Sequence, residues 1–304
     1  QDPTYAAYGN YSDKYGWFSF MMGLRFEQYN YTGSMPDSAI RFTYHNPNVF
    51  PSLFLTADLG KGQELHLNYS RRTNRPAFDE VSPRTDYSNP QNLARGNPHL
   101  QSEYTNLAEL SYNLQKGSTA FSATFYASNT NHFITTYTTT LAPDTLLSTY
   151  ANANHSNTFG GELLYKTNIV KGWNITASAN CFDTKISASN IDAGLNNDGF
   201  SWFAKLSSDI TLPQDFALQL SGSYVAPKII PQGKTLSTSS VDISLKKDFL
   251  KSKKLSVILS LADVFNTGRM KQSTYMQDQF NQSYLQKIAT RIFKASISYR
   301  FGNG

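Results

Sequence analysis

Phe293-Lys294-Ala295-Ser296-Ile297-Ser298-Tyr299-Arg300-Phe301 puts an apolar residue at every odd position and a polar one at every even position. Successive side chains of a strand point to opposite faces, so this segment has one greasy and one wet surface. The same period of two returns upstream. Leu255, Val257, Leu259 and Leu261 mark one face, as do Val241, Ile243 and Leu245, with Asp242, Ser244 and Lys246 between the latter. Trp173, Ile175, Ala177 and Ala179 alternate with Asn174, Thr176 and Ser178, and Leu65, Leu67 and Tyr69 with Glu64, His66 and Asn68. Phe18, Phe20, Met22, Leu24 and Phe26 repeat the pattern near the start.

Following this alternation along the chain predicts about thirteen strands, at 3–12, 15–29, 49–59, 63–73, 104–114, 118–137, 146–170, 172–186, 198–211, 214–228, 235–249, 254–267 and 286–302. Short polar turns such as Gly60-Lys61-Gly62, Gln115-Lys116-Gly117 and Lys251-Ser252-Lys253 alternate with longer Asn/Pro/Gly-rich stretches at 30–48, 74–103, 187–197 and 267–285. Shorter loops are expected near 228–234 and within 138–146. No composition break divides residues 1–304, so a single β region is expected.

Many of these strands exceed the mode of about 5–6 residues in soluble sheets and reach the roughly 9–11 that a tilted strand needs to cross a bilayer. A soluble sandwich would have shorter strands and a packed apolar core. The mid-strand apolar faces are mostly aliphatic, with Trp17, Trp173, Phe216, Phe249 and Phe301 near the short turns, where a membrane barrel carries its aromatic girdle. The expected fold is therefore an all-β, antiparallel transmembrane β-barrel. Its wet faces would line a lumen with Glu64, His66, Glu109, Glu162, Lys166, Lys205, Asp242, Lys246 and Arg300. Single-chain bacterial barrels have an even strand number, so an odd count predicts further strands from upstream or from a second chain.

Composition agrees and excludes other classes. Aromatics make up 14% of 304 residues, apolar residues only 39%, and mean hydropathy is −0.44, without any run long enough for a membrane helix. Cys181 is the single cysteine, which rules out an internal disulfide or thiolate cluster. A net charge of +5 with no basic block is a weak nucleic-acid footprint, so no nucleic-acid partner is expected. Gln1-Asp2-Pro3 opens without a basic or apolar leader, as in a processed chain or a piece of a longer one.

Three stretches resemble the outer-membrane β-barrel family of TonB-dependent receptor-like proteins of Bacteroidetes type. The first runs Tyr69-Ser70-Arg71-Arg72-Thr73-Asn74-Arg75-Pro76, then Asp86-Tyr87-Ser88-Asn89-Pro90, Gly96-Asn97-Pro98-His99-Leu100 and Glu103-Tyr104-Thr105-Asn106. The second is Leu259 to Thr267, through Asp263-Val264-Phe265-Asn266, and the third is Ser298-Tyr299-Arg300-Phe301-Gly302. The resemblance implies an outer-membrane transporter for solute or nutrient uptake, energised by TonB, whose barrel typically has 22 strands around a plug. On this resemblance residues 1–304 are expected to correspond to the C-terminal barrel portion, without the plug domain. Outer-membrane lipid and a plug or N-terminal barrel segment, on the same precursor or a second chain, are the implied partners.

On this resemblance the long 74–103 stretch faces outward, and Arg75, Arg84, Tyr87, Arg95 and His99 are its candidate ligand-binding residues. The plainer account is that its Asn-Pro and Gly-Asn-Pro elements only shape the loop. Arg71 and Arg72, at a strand's outer end, would meet anionic headgroups or pair with Glu103 and Glu109. Other readings are a plugless porin-like channel, a ligand-binding or adhesin barrel and, less favoured, an outer-membrane hydrolase. His45, His66, His99, His132 and His155 show no HExxH spacing and no Gly-x-Ser-x-Gly elbow appears, so no enzyme, metal site or cofactor is expected.

Overall fold

The computed structural model describes residues 3–34, 41–250, 253–276, 280–287 and 289–301, with side chains outside 31–45, 270 and 276. The strands are β1 (Thr4–Tyr15), β2 (Phe18–Ser34), β3 (Arg41–Gly60), β4 (Gln63–Asn74), β5 (Thr85–Asp86), β6 (Asn92–Arg95), β7 (Glu103–Lys116), β8 (Thr119–Ala142), β9 (Thr145–Val170) and β10 (Trp173–Ser187). They continue as β11 (Asn196–Leu212), β12 (Phe216–Val225), β13 (Lys228–Ile230), β14 (Gly233–Thr235), β15 (Thr238–Phe249), β16 (Leu255–Ala262), β17 (Met270–Met276), β18 (Phe280–Gln286) and β19 (Ile292–Tyr299). One short helix, α1 (Phe78–Val81), lies between β4 and β5.

Thirteen strands form one antiparallel meander in the order β1-β2-β3-β4-β7-β8-β9-β10-β11-β12-β15-β16-β19, and each overlaps one of the thirteen runs read from the sequence, with ends that differ by up to several residues. The six short strands are what periodicity missed. β13, β14, β17 and β18 make a separate four-stranded sheet from segments expected to be loops. The loop expected within 138–146 is instead a hairpin extension, because Thr138, Thr139 and Thr140 favour extended backbone and pair with Ser148, Leu147 and Leu146. The last strand starts at Ile292 rather than 286, since Gln286 pairs with Met270 in the smaller sheet. Lys251, Ser252, Gly302 and residues 35–40 and 277–279 of two expected loops lie outside the described residues.

Register fixes the faces. Lys14, Ser19, Thr56, His66, Ser111, Thr124, Glu162 and Asn180 are successive cross-strand partners and form one polar row. The row is tied by side-chain bonds from Thr56 to His66 (3.0 Å) and from Ser111 to Thr124 (2.9 Å). One residue along, Leu67, Leu110, Phe125, Gly161, Cys181 and Trp202 form an apolar row on the opposite face. That face is bare: Phe125 is 61% exposed and Phe159 66%.

The accessible surface is 19249 Å², against roughly 12,800 Å² for a compact protein of this mass. The sheet thus does not fold on itself to bury a packed core. Along β9 the apolar side runs from Phe159 to Ile169, which at about 3.3 Å per residue and 35–45° of tilt spans roughly 25 Å, the height of a lipid-facing band. At the short-turn rim the Lys247 ammonium lies 4.1 Å from the Phe216 ring centroid, its stem on the apolar face and its charge near the end of the strand.

Candidate functional site

β8 and β9, with 24 and 26 residues, outrun their neighbours and rise well beyond the apolar band. The 75–102 segment is stitched to this wall. Its β6 pairs parallel with β9 through Asn92–Leu146, Leu93–Leu147 and Ala94–Ser148. Asn97 Nδ2 donates to the Tyr150 carbonyl (2.9 Å), Gln101 N–H to Asn152 Oδ1 (2.8 Å), and Asn152 Nδ2 back to the Gln101 carbonyl (3.0 Å). Val81, Leu93, Leu100 and Leu147 are the buried apolar residues of this region.

Gly96 is required here. A Cβ on it would stand 2.5–2.7 Å from the carbonyl oxygens of Ser82, Asp79 and Glu80, while its N–H donates to Ser82 O at 2.9 Å. The Gly96-Asn97-Pro98-His99 run therefore sets loop shape: Asn97 accepts the His99 N–H at 3.0 Å and bonds the β9 wall with its amide.

Between loop and wall lies an open cavity of about 660 Å³, lined among others by Asp79, Arg84, Asp86, Tyr87, Arg95 and Tyr150. Three of the five outer-loop candidates, Arg84, Tyr87 and Arg95, meet in it. The N–H of Ser88 donates to Asp86 (2.9 Å), and this bond, with the Ser88 hydroxyl and the nearby Arg84 charge, holds the Asp86 carboxyl below the usual range. The cavity thus offers two guanidinium groups, two carboxyl groups and two phenols. Asp79 and Tyr150 are members the sequence reading did not single out as ligand contacts.

Arg75 and His99 lie elsewhere. Arg75 pairs with Glu27 and stacks over the Tyr29 ring at 4.3 Å; Arg25 holds the same carboxylate at 2.7 Å. His99 is exposed outside the cavity. Glu64, His66, Glu109, Glu162, Lys166, Lys205, Asp242 and Lys246 all fall on the polar face by register, and Arg300 follows β19 in the same alternation. His66 also contacts Glu64 at 3.1 Å. Among the described residues no three His, Cys, Asp or Glu side chains gather into a metal-binding group.

Residues 1–299 match the description "Outer membrane protein beta-barrel family". The chain belongs to that family. Its place is the outer membrane, with the apolar face of the sheet against lipid. Among curated proteins no sequence relative matches it. Among solved structures it is similar to the copper transporter OprC, with a TM-score of 0.70, 13% identity, and 97% of this chain covering 47% of that one. The ferric yersiniabactin uptake receptor FyuA from Yersinia pestis gives 0.66 at 14% identity, with 99% and 46% covered. The hemophore receptor HasR of Serratia marcescens gives 0.62 at 13%, with 99% and 51% covered. The chain spans about half the length of these structures, and at such identity the likeness concerns the fold.

Proposed function

We propose that this family member is the C-terminal barrel portion of a TonB-dependent-receptor-like transporter that takes up a solute through a lumen lined by its polar face. The observation that carries the reading is the pairing of the sheet. Among the described residues β1 pairs only with β2 and β19 only with β16. Thirteen alternating strands leave β1 and β19 running in the same direction. Closing the sheet antiparallel therefore takes an odd number of further strands, and in hydrocarbon an open edge is not tolerated. The transporters similar in fold are about twice as long, so they have the length for such strands and for a plug.

In this reading the outer cavity makes first contact. Arg84, Arg95 and Tyr87 with Asp79 and Asp86 hold a polar solute by hydrogen bonds and charge, and Glu64, Glu109, Glu162, Lys166, Lys205, Asp242, Lys246 and Arg300 line the route beyond. Glu27 and Arg75 anchor the loop that shapes the cavity. No catalytic role is assigned in this reading.

The test is uptake in the producing cell. Deleting the gene should abolish accumulation of one solute from a panel of metal chelates, oligosaccharides and peptides, and removing TonB should reproduce that loss. An ungated conductance of the purified chain in planar bilayers would instead establish the porin-like channel. Lipase or protease turnover abolished by His99→Ala or His132→Ala would establish the hydrolase.

A further inference from the structure

The outer cavity holds charges of both signs that do not pair with each other. Elsewhere among the described residues such groups do pair: Arg25 and Arg75 share Glu27, Lys246 holds Asp248, and Lys253 holds Asp215. In the cavity Arg84, Arg95 and Asp79 are all exposed. Among the described residues none of the three side chains makes an ion pair within 4.0 Å or a hydrogen bond. Asp86 differs, because its carboxylate accepts the Ser88 N–H at 2.9 Å and so serves its own turn.

The anionic pole follows from the local sequence. The residue four beyond Asp79 is Pro83, which has no N–H, so the Asp79 carbonyl lacks a helical partner. The carbonyl oxygens of Asp79, Glu80 and Ser82 converge on Gly96, at 2.6, 2.7 and 2.5 Å from the place a Cβ would take. Those of Glu80 and Ser82 accept the N–H groups of Asn97 (2.7 Å) and Gly96 (2.9 Å). The carbonyl and the carboxylate of Asp79 are thus the open acceptors at this end, and an ammonium, with three donors and a positive charge, suits them. The cationic pole adjoins it: Arg95 precedes Gly96, and Arg84 precedes Thr85, the cross-strand partner of Arg95. Two guanidinium groups, each a planar fork of donors, suit a carboxylate. Tyr87, 71% exposed, and Tyr150 add ring surface.

A ligand with one sign of charge would use one pole and be repelled by the other. An anionic chelate or an acidic sugar meets Asp79, and a polyamine meets Arg84 and Arg95. A neutral sugar uses neither charge. A molecule with a free ammonium and a free carboxylate satisfies both poles, and about 660 Å³ falls within the range of small-ligand sites. A single amino acid would leave much of that space empty. We propose that the cavity takes a short zwitterionic peptide, its carboxylate on Arg84 and Arg95, its ammonium on Asp79 and its body against Tyr87 and Tyr150. The proposal rests on the uptake reading above and narrows its polar solute to one chemical class.

The test is equilibrium dialysis of the whole receptor, extracted in mild detergent, against a mixed tripeptide pool read by mass spectrometry. The pool is offered free, N-acetylated, C-amidated, or blocked at both ends. The free form should be retained, and each block should lower retention at least about tenfold, as losing a charge-assisted hydrogen bond implies. Arg84→Gln with Arg95→Gln should lower retention of the free and N-acetylated forms and spare the C-amidated one. Asp79→Asn should lower the free and C-amidated forms and spare the N-acetylated one. All three positions are exposed, so the heat-modifiable mobility of the barrel should persist, and Lys247→Gln at the opposite rim should change nothing. Equal retention of the free and doubly blocked pools overturns the inference. So does an equal loss of every form in either variant, or retention of an acidic oligosaccharide in place of the tripeptides. Tripeptide retention with the expected pattern, but without TonB-dependent uptake in cells, would remove the transport reading and leave the site standing.

Discussion

The side-chain amide of Gln232 bonds both backbone groups of Thr138: the Thr138 N–H donates to Oε1 at 2.7 Å and Nε2 donates to the Thr138 carbonyl at 2.8 Å. Gln232 is buried and stands in for a strand partner, locking the turn of the β13–β14 hairpin to the β8 extension. Gln232→Ala should strip both bonds and leave two backbone groups unpaired, each costing about 1–3 kcal/mol. Because the loss is confined to the outer loops, hydrogen exchange at Thr138 should accelerate while exchange in the apolar band stays unchanged. Unaltered protection at Thr138 would refute the clamp.

The carboxylate of Glu27 is 8% exposed and lies between the guanidinium groups of Arg25 and Arg75. Arg75 is the first residue after β4, so this contact ties the root of the cavity loop to β2. Both arginines are partly solvated, which screens the pair, and Arg75→Ala should cost about 1–3 kcal/mol. Limited proteolysis of intact cells should cut faster between residues 76 and 102 in this variant, with assembly of the barrel unaffected. Equal cutting rates would remove Glu27 from any role in holding the loop.

The long strands were legible because a half-wetted sheet imposes period two. Ile243 and Asp242 had to face opposite ways whatever the neighbours were. The outer elements were not, because their partners are remote in sequence. Nothing local marks Gln232 as the partner of Thr138, or Asn92 as the acceptor of a 2.6 Å bond from Gln282. The candidate cavity was legible in part. Arg84, Tyr87 and Arg95 share one loop, but Tyr150 enters from the β9 wall, and Arg75 is drawn away by Glu27, which no spacing in the 74–103 stretch reveals.

Asp263 opens the turn that leaves β16. Its carboxylate accepts the Thr290 hydroxyl (2.5 Å), the Gly268 N–H (2.7 Å) and the Thr267 N–H (2.9 Å), which together hold its pKa down to about 2 from 3.8. A carboxyl with a depressed folded pKa stabilises the fold fully above its unfolded value, and the contribution fades as pH falls through the folded value. Exchange protection at Thr267 and Gly268, corrected for intrinsic rates, should therefore be constant above pH 3.8 and decline toward about pH 2. Asp263→Asn should show low protection throughout and no such step. A step of the same size in the variant would assign it to another group.

Leu163 and Leu164 are consecutive on β9, both partly exposed, and on opposite faces: Leu163 pairs with Ala123 and Ala179, Leu164 with Ser122 and Ser178. Hydropathy cannot separate two leucines, but the register can. Arginine on the lipid face at mid-band costs about 2–4 kcal/mol, whereas on the lumen face it meets water. Leu163→Arg should therefore lower the guanidinium unfolding midpoint of the receptor refolded into vesicles, and Leu164→Arg should leave it nearly unchanged. Leu164→Arg should instead alter solute passage, since it adds a charge close to Glu162 and Lys166 on the polar face. If Leu164→Arg proved the destabilising change, the faces would be reversed, and the polar lining would be placed on the wrong side of the wall.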